Sequence, residues 1–241
     1  NDTASWYHWG CSGTSNALKE RITALGLSLT AVPINATYSL RQVPPFEKFD
    51  DQDCFKKFSE ENAALLQQLR GSDAVIITGE GTIHDLRVGP KALLYLAYIA
   101  KIFFNKHVEI INHSAYPKDN PILSTSFVAN FQPEKIAMLQ GRSEAERLYR
   151  KVYKVLDFVA IREPISQLVM HDFGIDSTLS FDCLALYIRD HYHNPKKQVK
   201  DKVVIAGSVA FTTAGVEQLA RYIAELQHRG FTVELLMGAK A

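Results

Sequence analysis

Residues 72–85 read Ser-Asp-Ala-Val-Ile-Ile-Thr-Gly-Glu-Gly-Thr-Ile-His-Asp, and this stretch decides the fold. Its apolar first half gives way to Gly79 and Gly81, and Thr82 follows as a residue that can cap a helix. The pattern predicts a buried parallel strand, a sharp glycine turn and a helix start. Because open parallel sheets bind ligands where such strands end, we expect a binding loop that reaches Asp85.

The two glycines alone do not identify the ligand. A bare Gly-x-Gly after a strand also fits a plain tight turn into a helix. His84 stands where the dinucleotide-binding fingerprint would have its last glycine. The loop therefore predicts an anion site at a helix N-terminus and does not specify a cofactor.

Composition indicates an ordinary globular protein. The chain has 241 residues, of which 46% are hydrophobic and 22% charged, and these values exclude a disordered or fibrous protein. The formal net charge is +1 at pH 7, so no global field attracts nucleic acid or an anionic membrane. Any anion site must be local, and we expect no nucleic-acid partner.

The cysteine content indicates a reducing compartment. Cys11, Cys54 and Cys183 are odd in number and far apart, which argues against a disulfide framework. The apolar stretch at residues 92–104 is interrupted by Lys101 and is shorter than the roughly 18 residues of a membrane span. The first residues show no signal-peptide pattern. We expect a cytoplasmic protein without a transmembrane segment, with the inner face of the membrane as an alternative location.

Strands alternate with helices along residues 1–190, which predicts an α/β fold with a Rossmann-like doubly wound parallel sheet. The predicted strands are Leu27–Ile34, Asp73–Thr78, Val108–Asn112, Phe158–Arg162 and Thr178–Asp182. The predicted helices are Ser15–Leu25, Cys54–Gly71, Gly89–Phe104, Ser143–Leu156 and Pro164–Phe173. Ahead of the first helix, Asn1–Thr14 has the composition of a binding loop.

A second unit is predicted after a basic linker. Residues 191–202 have linker composition, and the interval 190–202 contains two histidines, a proline and several lysines. The strand–helix–strand pattern then starts again within 203–241. We expect residues 1–190 to form an N-terminal Rossmann-like domain and 203–241 to begin a second, incomplete one.

The strand ends bring polar groups to one edge of the predicted sheet, because parallel strands direct their C-terminal loops to the same side. The candidate substrate-binding residues are Gly79, Gly81, Thr82, Asn112, His113, Ser114, Arg162 and Asp182. Several of them also fit structural roles. Asp182, for example, is placed where a helix cap would stand.

Arg162 is the most specific of these candidates. It ends a predicted buried strand and precedes Pro164, which suits the first turn of a helix. A guanidinium held there suits two-point recognition of a phosphate or carboxylate. The alternative is an ion pair with Glu163 or a neighbouring aspartate.

Other catalytic motifs do not fit. The turn Gly10–Gly13 is not a nucleophile elbow, because that pattern needs its serine between spaced glycines after a strand and a histidine late in the chain. No paired histidine and glutamate spacing and no calcium-loop pattern occurs. The sequence therefore predicts no metal.

Three stretches together resemble the polysaccharide pyruvyl transferase family. They are Asp2-Thr3 with His8–Ser15, Asp73–Thr82, and Ala160–Ser166 followed by Phe173–Ile175 and Ser180–Asp182. The most specific part is Arg-Glu-x-x-Ser from Arg162 to Ser166, followed by Gly-Ile and an aspartate that ends the next strand. Glu80 departs from the pattern, since the family usually has a third glycine there.

The resemblance implies a fold like that of the two-domain glycosyltransferases of the B type, with two Rossmann-like halves that face a cleft. It also implies transfer of the enolpyruvyl unit of phosphoenolpyruvate to a sugar of a cell-surface polysaccharide, with ketal formation and phosphate release. Phosphoenolpyruvate is then a co-substrate and no cofactor is expected. The expected acceptor is a sugar or a lipid-linked glycan. We also expect further domains in a larger chain.

This reaction needs acid–base groups, because the enol is protonated and a sugar hydroxyl is deprotonated. We assign His8, His84 and Glu80 as candidate catalytic residues, with His113 and Asp85 as further acid–base groups. Two other functions remain open. One is a glycosyltransferase that uses a nucleotide sugar on the same architecture, and the other is a non-catalytic glycan- or nucleotide-binding module of a larger biosynthetic protein.

Overall fold

The computed structural model describes residues 1–6, 8–81, 83, 87–115, 144–192, 201–206 and 213–236. Of the site candidates, Thr82 and His84 lie outside these residues, as does Asp85. The loop and short helix predicted between residues 116 and 140 and most of the basic linker lie outside them too.

Four parallel strands form the main sheet, in the order β1-β2-β3-β4. They are β1 (Ala74–Glu80), β2 (His107–His113), β3 (Phe158–Ile161) and β4 (Thr178–Leu179). Each neighbouring pair is parallel. Helices flank the sheet, so the predicted α/β fold with a parallel sheet is confirmed, and the arrangement is compatible with a Rossmann-like fold.

Eight helices accompany these strands in the described residues up to 192. They are α1 (Trp9–Ala24), α2 (Ile34–Tyr38), α3 (Gln52–Glu61), α4 (Ala63–Gly71), α5 (Val88–Ile102), α6 (Glu144–Tyr153), α7 (Pro164–Asp172) and α8 (Leu184–His191). A short 3₁₀ helix, Phe46–Lys48, lies between α2 and α3.

The core is built around α5. Every side chain from Ala92 to Ala100 is buried, because the helix contacts β1 and β2 as well as α2 and α6. A helix that is apolar on all sides is stable only inside such a layer. Phe49 and Phe58 pack on Tyr95 of α5, with ring centroids 4.6 and 4.8 Å away.

Helices α1 and α8 pack closely on each other. A Cβ atom added at Gly13 would stand 2.8 Å from Leu184 Cδ1 and 3.0 Å from the ring of Tyr187, so a glycine is needed for this approach. Ion pairs between the two helices, Arg21 with Asp190 among them, add to the contact. Since α8 follows β4 directly, this packing fixes the position of α1 relative to the sheet.

A second, smaller unit contains β5 (Lys202–Ala206), α9 (Thr213–His228) and β6 (Thr232–Leu236). The strands β5 and β6 pair in parallel and form a sheet of their own in the described part of the chain. The predicted strand–helix–strand unit is therefore present. The assignment of separate domains stays a prediction.

The predicted strand Leu27–Ile34 is wrong. Residues 27–32 form no strand, Pro33 makes a single bridge to Asp2, and α2 begins at Ile34. The alternation of Leu27 and Leu29 suits a strand, but a strand also needs a neighbour with free backbone groups. Among the described residues only Asp2 pairs with this segment, at its end, through Val32 O and Ile34 N.

Two predicted helices also differ from expectation. The first helix begins at Trp9 rather than Ser15, because His8 Nδ1 accepts from the backbone N–H of Cys11 and caps it. Most of the predicted binding loop is therefore helical. The predicted helix Cys54–Gly71 is two helices, since Asn62 leaves helical geometry and its amide donates to Arg41 O.

The fifth predicted strand is shorter than expected, and a helix takes part of the predicted linker. Of the predicted strand Thr178–Asp182, only Thr178–Leu179 pairs with β3, and α8 occupies Leu184–His191. The helix after β1 begins at Val88 with Arg87 at its N-cap. This start is one residue before the predicted start at Gly89.

We predict that Gly79→Ala destabilises the fold by about 2 kcal/mol through steric overlap. A Cβ atom at Gly79 would lie 2.6–2.7 Å from Nδ1, Cβ and Cγ of His113, which is fully buried and cannot move aside. Urea unfolding measures the change. Gly71→Ala is the matched control, because nothing lies within 4 Å of a Cβ there.

A double-mutant cycle separates this overlap from a general effect of alanine in a strand. In a His113→Ala background, the cost of Gly79→Ala should fall below about 0.5 kcal/mol, because the space is then free. An unchanged cost in that background would contradict the steric explanation.

Candidate functional site

The C-terminal ends of β1, β2 and β3 are tied together by backbone hydrogen bonds. Ser114 N donates to Glu80 O (2.8 Å), and Arg162 N donates to His113 O (3.0 Å). Glu80 has a φ of 44° and Asn112 a φ of 49°, which is the left-handed region that non-glycine residues seldom adopt. These turns bring the predicted residues of three strands to one edge of the sheet.

The carboxyl group of Glu80 is buried among donors. Thr3 Oγ1 donates to its Oε1 (3.0 Å), and the thiol of Cys11 makes a second hydrogen bond. Thr3 is itself held by Ser15, whose Oγ accepts from Thr3 N at 2.9 Å. Burial raises the pKa of Glu80, while these hydrogen bonds and Arg162 oppose the rise.

The same cluster makes Cys11 unreactive. Burial, with the neighbouring Glu80 carboxylate as a further cause, raises the pKa of the Cys11 thiol to about 12. A thiolate is the nucleophilic form, so this cysteine does not act as a nucleophile near neutral pH. Its role is to donate to Glu80.

Arg162 lies between two partners at the sheet edge. Its Nε donates to Ser114 Oγ (2.7 Å), and its Nη1 donates to Asp182 Oδ2 at 3.0 Å. The alternative of an ion pair with an aspartate is thus observed. Within the described part of the chain Nη2 has no hydrogen-bond partner, so one corner of the guanidinium can still donate to a ligand.

Asp182 links the arginine to two helices. Its Oδ1 accepts from Leu184 N at the start of α8 (2.9 Å) and from Thr14 Oγ1 of α1 (3.4 Å). The expected helix-cap role of Asp182 is therefore present beside the contact to Arg162. Because the side chain of Asp182 is 45% exposed, a ligand can reach this pair.

His113 does not face a ligand. It is fully buried and stacks on Tyr153, whose hydroxyl lies 2.5 Å from His113 Nε2. Burial lowers the pKa of His113 to about 3, so the ring is neutral, and its Nδ1 faces the backbone of Gly79 and Glu80 without a hydrogen bond of normal geometry. The ring accepts from Tyr153 and supports the strand ends.

Asn112 is also internal. Its Oδ1 accepts from Cys183 N (2.9 Å) and thereby holds the turn that carries Asp182. With a side chain this deeply buried, it positions Asp182 and does not contact solvent. Gly79 is buried against His113, and Gly81 is partly exposed at the end of β1.

His8 caps α1 and is half-buried. Because Nδ1 accepts from Cys11 N, a neutral His8 carries its proton on Nε2. A ring of this tautomer can donate a hydrogen bond from Nε2.

Three residues of the cluster were not predicted as site residues. Thr3, Cys11 and Ser15 surround Glu80, although Thr3 and Glu80 lie 77 positions apart. The small hydroxyls of the first 15 residues were the only signal. The contact itself depends on tertiary structure.

A separate cavity lies at the opposite edge of the sheet. It has a volume of about 340 Å³, and its lining includes Asp157 and Phe158 before and at the start of β3, together with Asp176 and Ser177. None of the predicted site residues lines it.

Neither a metal cluster nor a membrane span is found in the residues that the structure describes. No group of three or more histidine, cysteine, aspartate or glutamate side chains there could hold a metal ion. No helix among them is both long enough and apolar enough to cross a bilayer.

A scan against models of protein families finds no match for this chain, and searches of curated proteins and of solved structures find no match either.

We predict that the stability of the protein falls as the pH decreases from 6.5 towards 3, in part because of His113. The unfolded chain binds a proton near pH 6.5, whereas the folded chain does so only near pH 3. Stability is therefore full above pH 6.5 and falls by up to about 1.4 kcal/mol per pH unit below it. Urea unfolding at pH 7, 6 and 5 measures the slope.

The double variant His113→Phe/Tyr153→Phe is the control. It keeps two stacked rings and removes both polar groups, so no buried partner is left unpaired. All other titrating groups are shared with the parent chain, and the difference in slope isolates His113. Equal slopes in the two proteins would contradict the assignment.

Proposed function

We propose that this chain transfers the enolpyruvyl unit of phosphoenolpyruvate to a sugar of a cell-surface polysaccharide, forming a ketal and releasing phosphate. The resemblance of its motifs to polysaccharide pyruvyl transferases suggests the reaction. The observation that carries the proposal is the position of Arg162, which stands at the C-terminal edge of a parallel sheet with Nη2 open to a ligand.

Arg162 is held in place before any ligand arrives. Ser114 and Asp182 fix two of its nitrogens, so the third points in a set direction. A preorganised donor of this kind strengthens its interaction with an anion, because little rotamer freedom is lost on binding. In our proposal Nη2 contacts the phosphate or the carboxylate of phosphoenolpyruvate.

The second anionic group needs further donors. Asp182 already offsets part of the charge of Arg162, and phosphoenolpyruvate has both a phosphate and a carboxylate. We propose that these donors come from the other side of a cleft, in a two-domain architecture like that of the B-type glycosyltransferases. The unit with β5, α9 and β6 begins the second domain in this proposal.

Glu80 is our candidate for the general acid. Transfer begins with a proton added to C3 of the enol, which leaves a cation at C2. A sugar hydroxyl attacks C2 and loses its proton to a base, and a second hydroxyl of the sugar displaces phosphate to close the ketal. Because the pKa of Glu80 is raised by burial, it retains a proton to higher pH than a surface glutamate.

The histidines have the remaining roles in this proposal. His8, with its proton on Nε2, suits a hydrogen bond to the phosphate of phosphoenolpyruvate. His84 stays a candidate base on the strength of its sequence position alone. The acceptor is a sugar or a lipid-linked glycan, and the reaction would take place in the cytoplasm.

We predict that Arg162→Lys weakens phosphoenolpyruvate binding by about ten- to a hundredfold, because lysine keeps the charge but loses the planar fork. The melting temperature should change little, since a partly exposed ion pair contributes about 0–1 kcal/mol. Calorimetric titration and thermal unfolding measure the two effects. Arg189→Lys is the matched control, because Arg189 pairs with Asp190 on the exposed side of α8.

The two readouts distinguish function from structure. Unchanged affinity with a loss of several degrees in melting temperature would make Arg162 a structural ion-pair residue. An equal loss of affinity in Arg189→Lys would show a nonspecific charge effect.

We predict that Glu80→Gln lowers the rate of phosphate release in the presence of acceptor by about a hundredfold or more. Glutamine keeps the acceptor for Thr3 but cannot give up a proton. In the parent chain the rate should fall as pH rises through the raised pKa of Glu80, since only the protonated form is an acid. A variant with an unchanged rate and the same pH profile would exclude Glu80 as the acid.

Ligand screening separates the three candidate functions. Saturation by phosphoenolpyruvate supports pyruvyl transfer, saturation by a nucleotide sugar supports a glycosyltransferase, and saturation by glycan alone supports a binding module. The Arg162→Lys variant should be included with each ligand, so that binding is assigned to this edge of the sheet.

A further inference from the structure

The turn that follows β2 is attached to α7 by a buried hydrogen bond. Ala115 N donates to Ser166 Oγ at 2.7 Å. Ala115 is fully buried, and Ser166 is 1% exposed. The residue before Ala115 is Ser114, whose own N–H is bonded to the end of β1. The turn is therefore held by β1 at one residue and by α7 at the next.

The hydroxyl of Ser166 has a fixed orientation. It donates to Glu163 Oε1, so a lone pair of Oγ is left for Ala115 N. Glu163 Oε2 accepts from Ser166 N (3.0 Å) and thereby caps α7. This cap uses only the backbone of residue 166, so an alanine there would keep it. The hydroxyl is needed for the contact with the turn after β2.

Ser114 connects this turn to Arg162. Its Oγ accepts from Arg162 Nε at 2.7 Å, and the residue is 7% exposed. The guanidinium is planar and its donors have a fixed geometry, so the bond requires Oγ at one place. Because Ser114 and Ala115 are adjacent in the chain, a shift of Ala115 moves Ser114 with it. A continuous series of contacts thus runs from Ser166 through the turn to Arg162.

Without the hydroxyl of Ser166, Ala115 N would be a buried donor that has lost its acceptor. Buried backbone N–H groups are nearly always paired, and leaving one unpaired is destabilising. We expect the turn to move so that this N–H reaches another acceptor or water. Ser114 Oγ then leaves its place beside Arg162 Nε, and the guanidinium gains rotamer freedom.

We propose that Ser166 is a positioning residue for the anion contact of Arg162. Because it is buried, Ser166 does not touch the ligand and acts through Ala115 and Ser114, which hold Nε so that Nη2 keeps a set direction. The anion contact itself rests on the proposed function, which assigns the ligand to Arg162. The alternative is a purely structural hydroxyl, whose loss would lower stability without releasing Arg162.

The first measurement needs no ligand. Hydrogen exchange at the Arg162 Nε–H, followed by NMR in the isotope-labelled full chain, should become faster by about tenfold or more in Ser166→Ala. Val169→Ala is the matched control, because Val169 is a fully buried residue of the same helix. It should lower the melting temperature through lost packing and leave the exchange at Arg162 unchanged.

The second measurement is the affinity for phosphoenolpyruvate in calorimetric titration. Ser166→Ala should weaken binding by about three- to tenfold, which corresponds to the freedom of one long side chain. In an Arg162→Lys background the same substitution should change the affinity by less than about twofold, since the group that Ser166 positions is absent. A parent chain that binds no phosphoenolpyruvate would contradict the proposed function, while the exchange at Arg162 would still decide the role of Ser166.

The isosteric variants Ser166→Thr and Ser166→Val separate the hydroxyl from the size of the side chain. Threonine keeps an acceptor for Ala115 N and valine does not, so exchange at Arg162 should be faster in the valine variant. Three outcomes would overturn the proposal. They are slow exchange in both Ser166→Ala and Ser166→Val, equally fast exchange in Val169→Ala, and an equal loss of affinity in the Arg162→Lys background.

Discussion

The close approach of β1 and β2 at Gly79 and His113 is the constraint on which the candidate site depends. The imidazole occupies the space that a side chain at position 79 would need. This contact lets Ser114 N reach Glu80 O, and the next strand is tied on through His113 O. The C-terminal ends of β1, β2 and β3 are thereby held side by side, and the side chains of Glu80 and Arg162 lie at the same edge of the sheet.

The polar groups at this edge contribute little to the stability of the fold. A buried carboxyl group is destabilising unless donors satisfy it, and Thr3 and Cys11 supply those donors to Glu80. The pair of Arg162 and Asp182 is only partly buried and contributes about 0–1 kcal/mol. A cluster that adds little to stability agrees with our proposal that these residues bind a ligand.

Much of the fold could be predicted from local patterns, and the errors have a common cause. The strands at Ala74, His107 and Phe158 follow from short apolar runs, and the helices after them follow from periodicity and proline or glycine signals. Residues 27–32 have an equally good strand pattern but lack a partner along their length. The break at Asn62 depends on its contact with Arg41, which no local pattern contains.

The sequence by itself determined the α/β class, the order of strands and helices, and the placement of Glu80, Asn112, Arg162 and Asp182 near strand ends. Only the tertiary structure decided which of these groups are buried and which remain accessible. It buried Asn112 against the turn at Cys183 and paired Arg162 with Asp182. The physical reason is that burial and hydrogen-bond partners are set by contacts between residues far apart in the chain, whereas sequence patterns report only on neighbours.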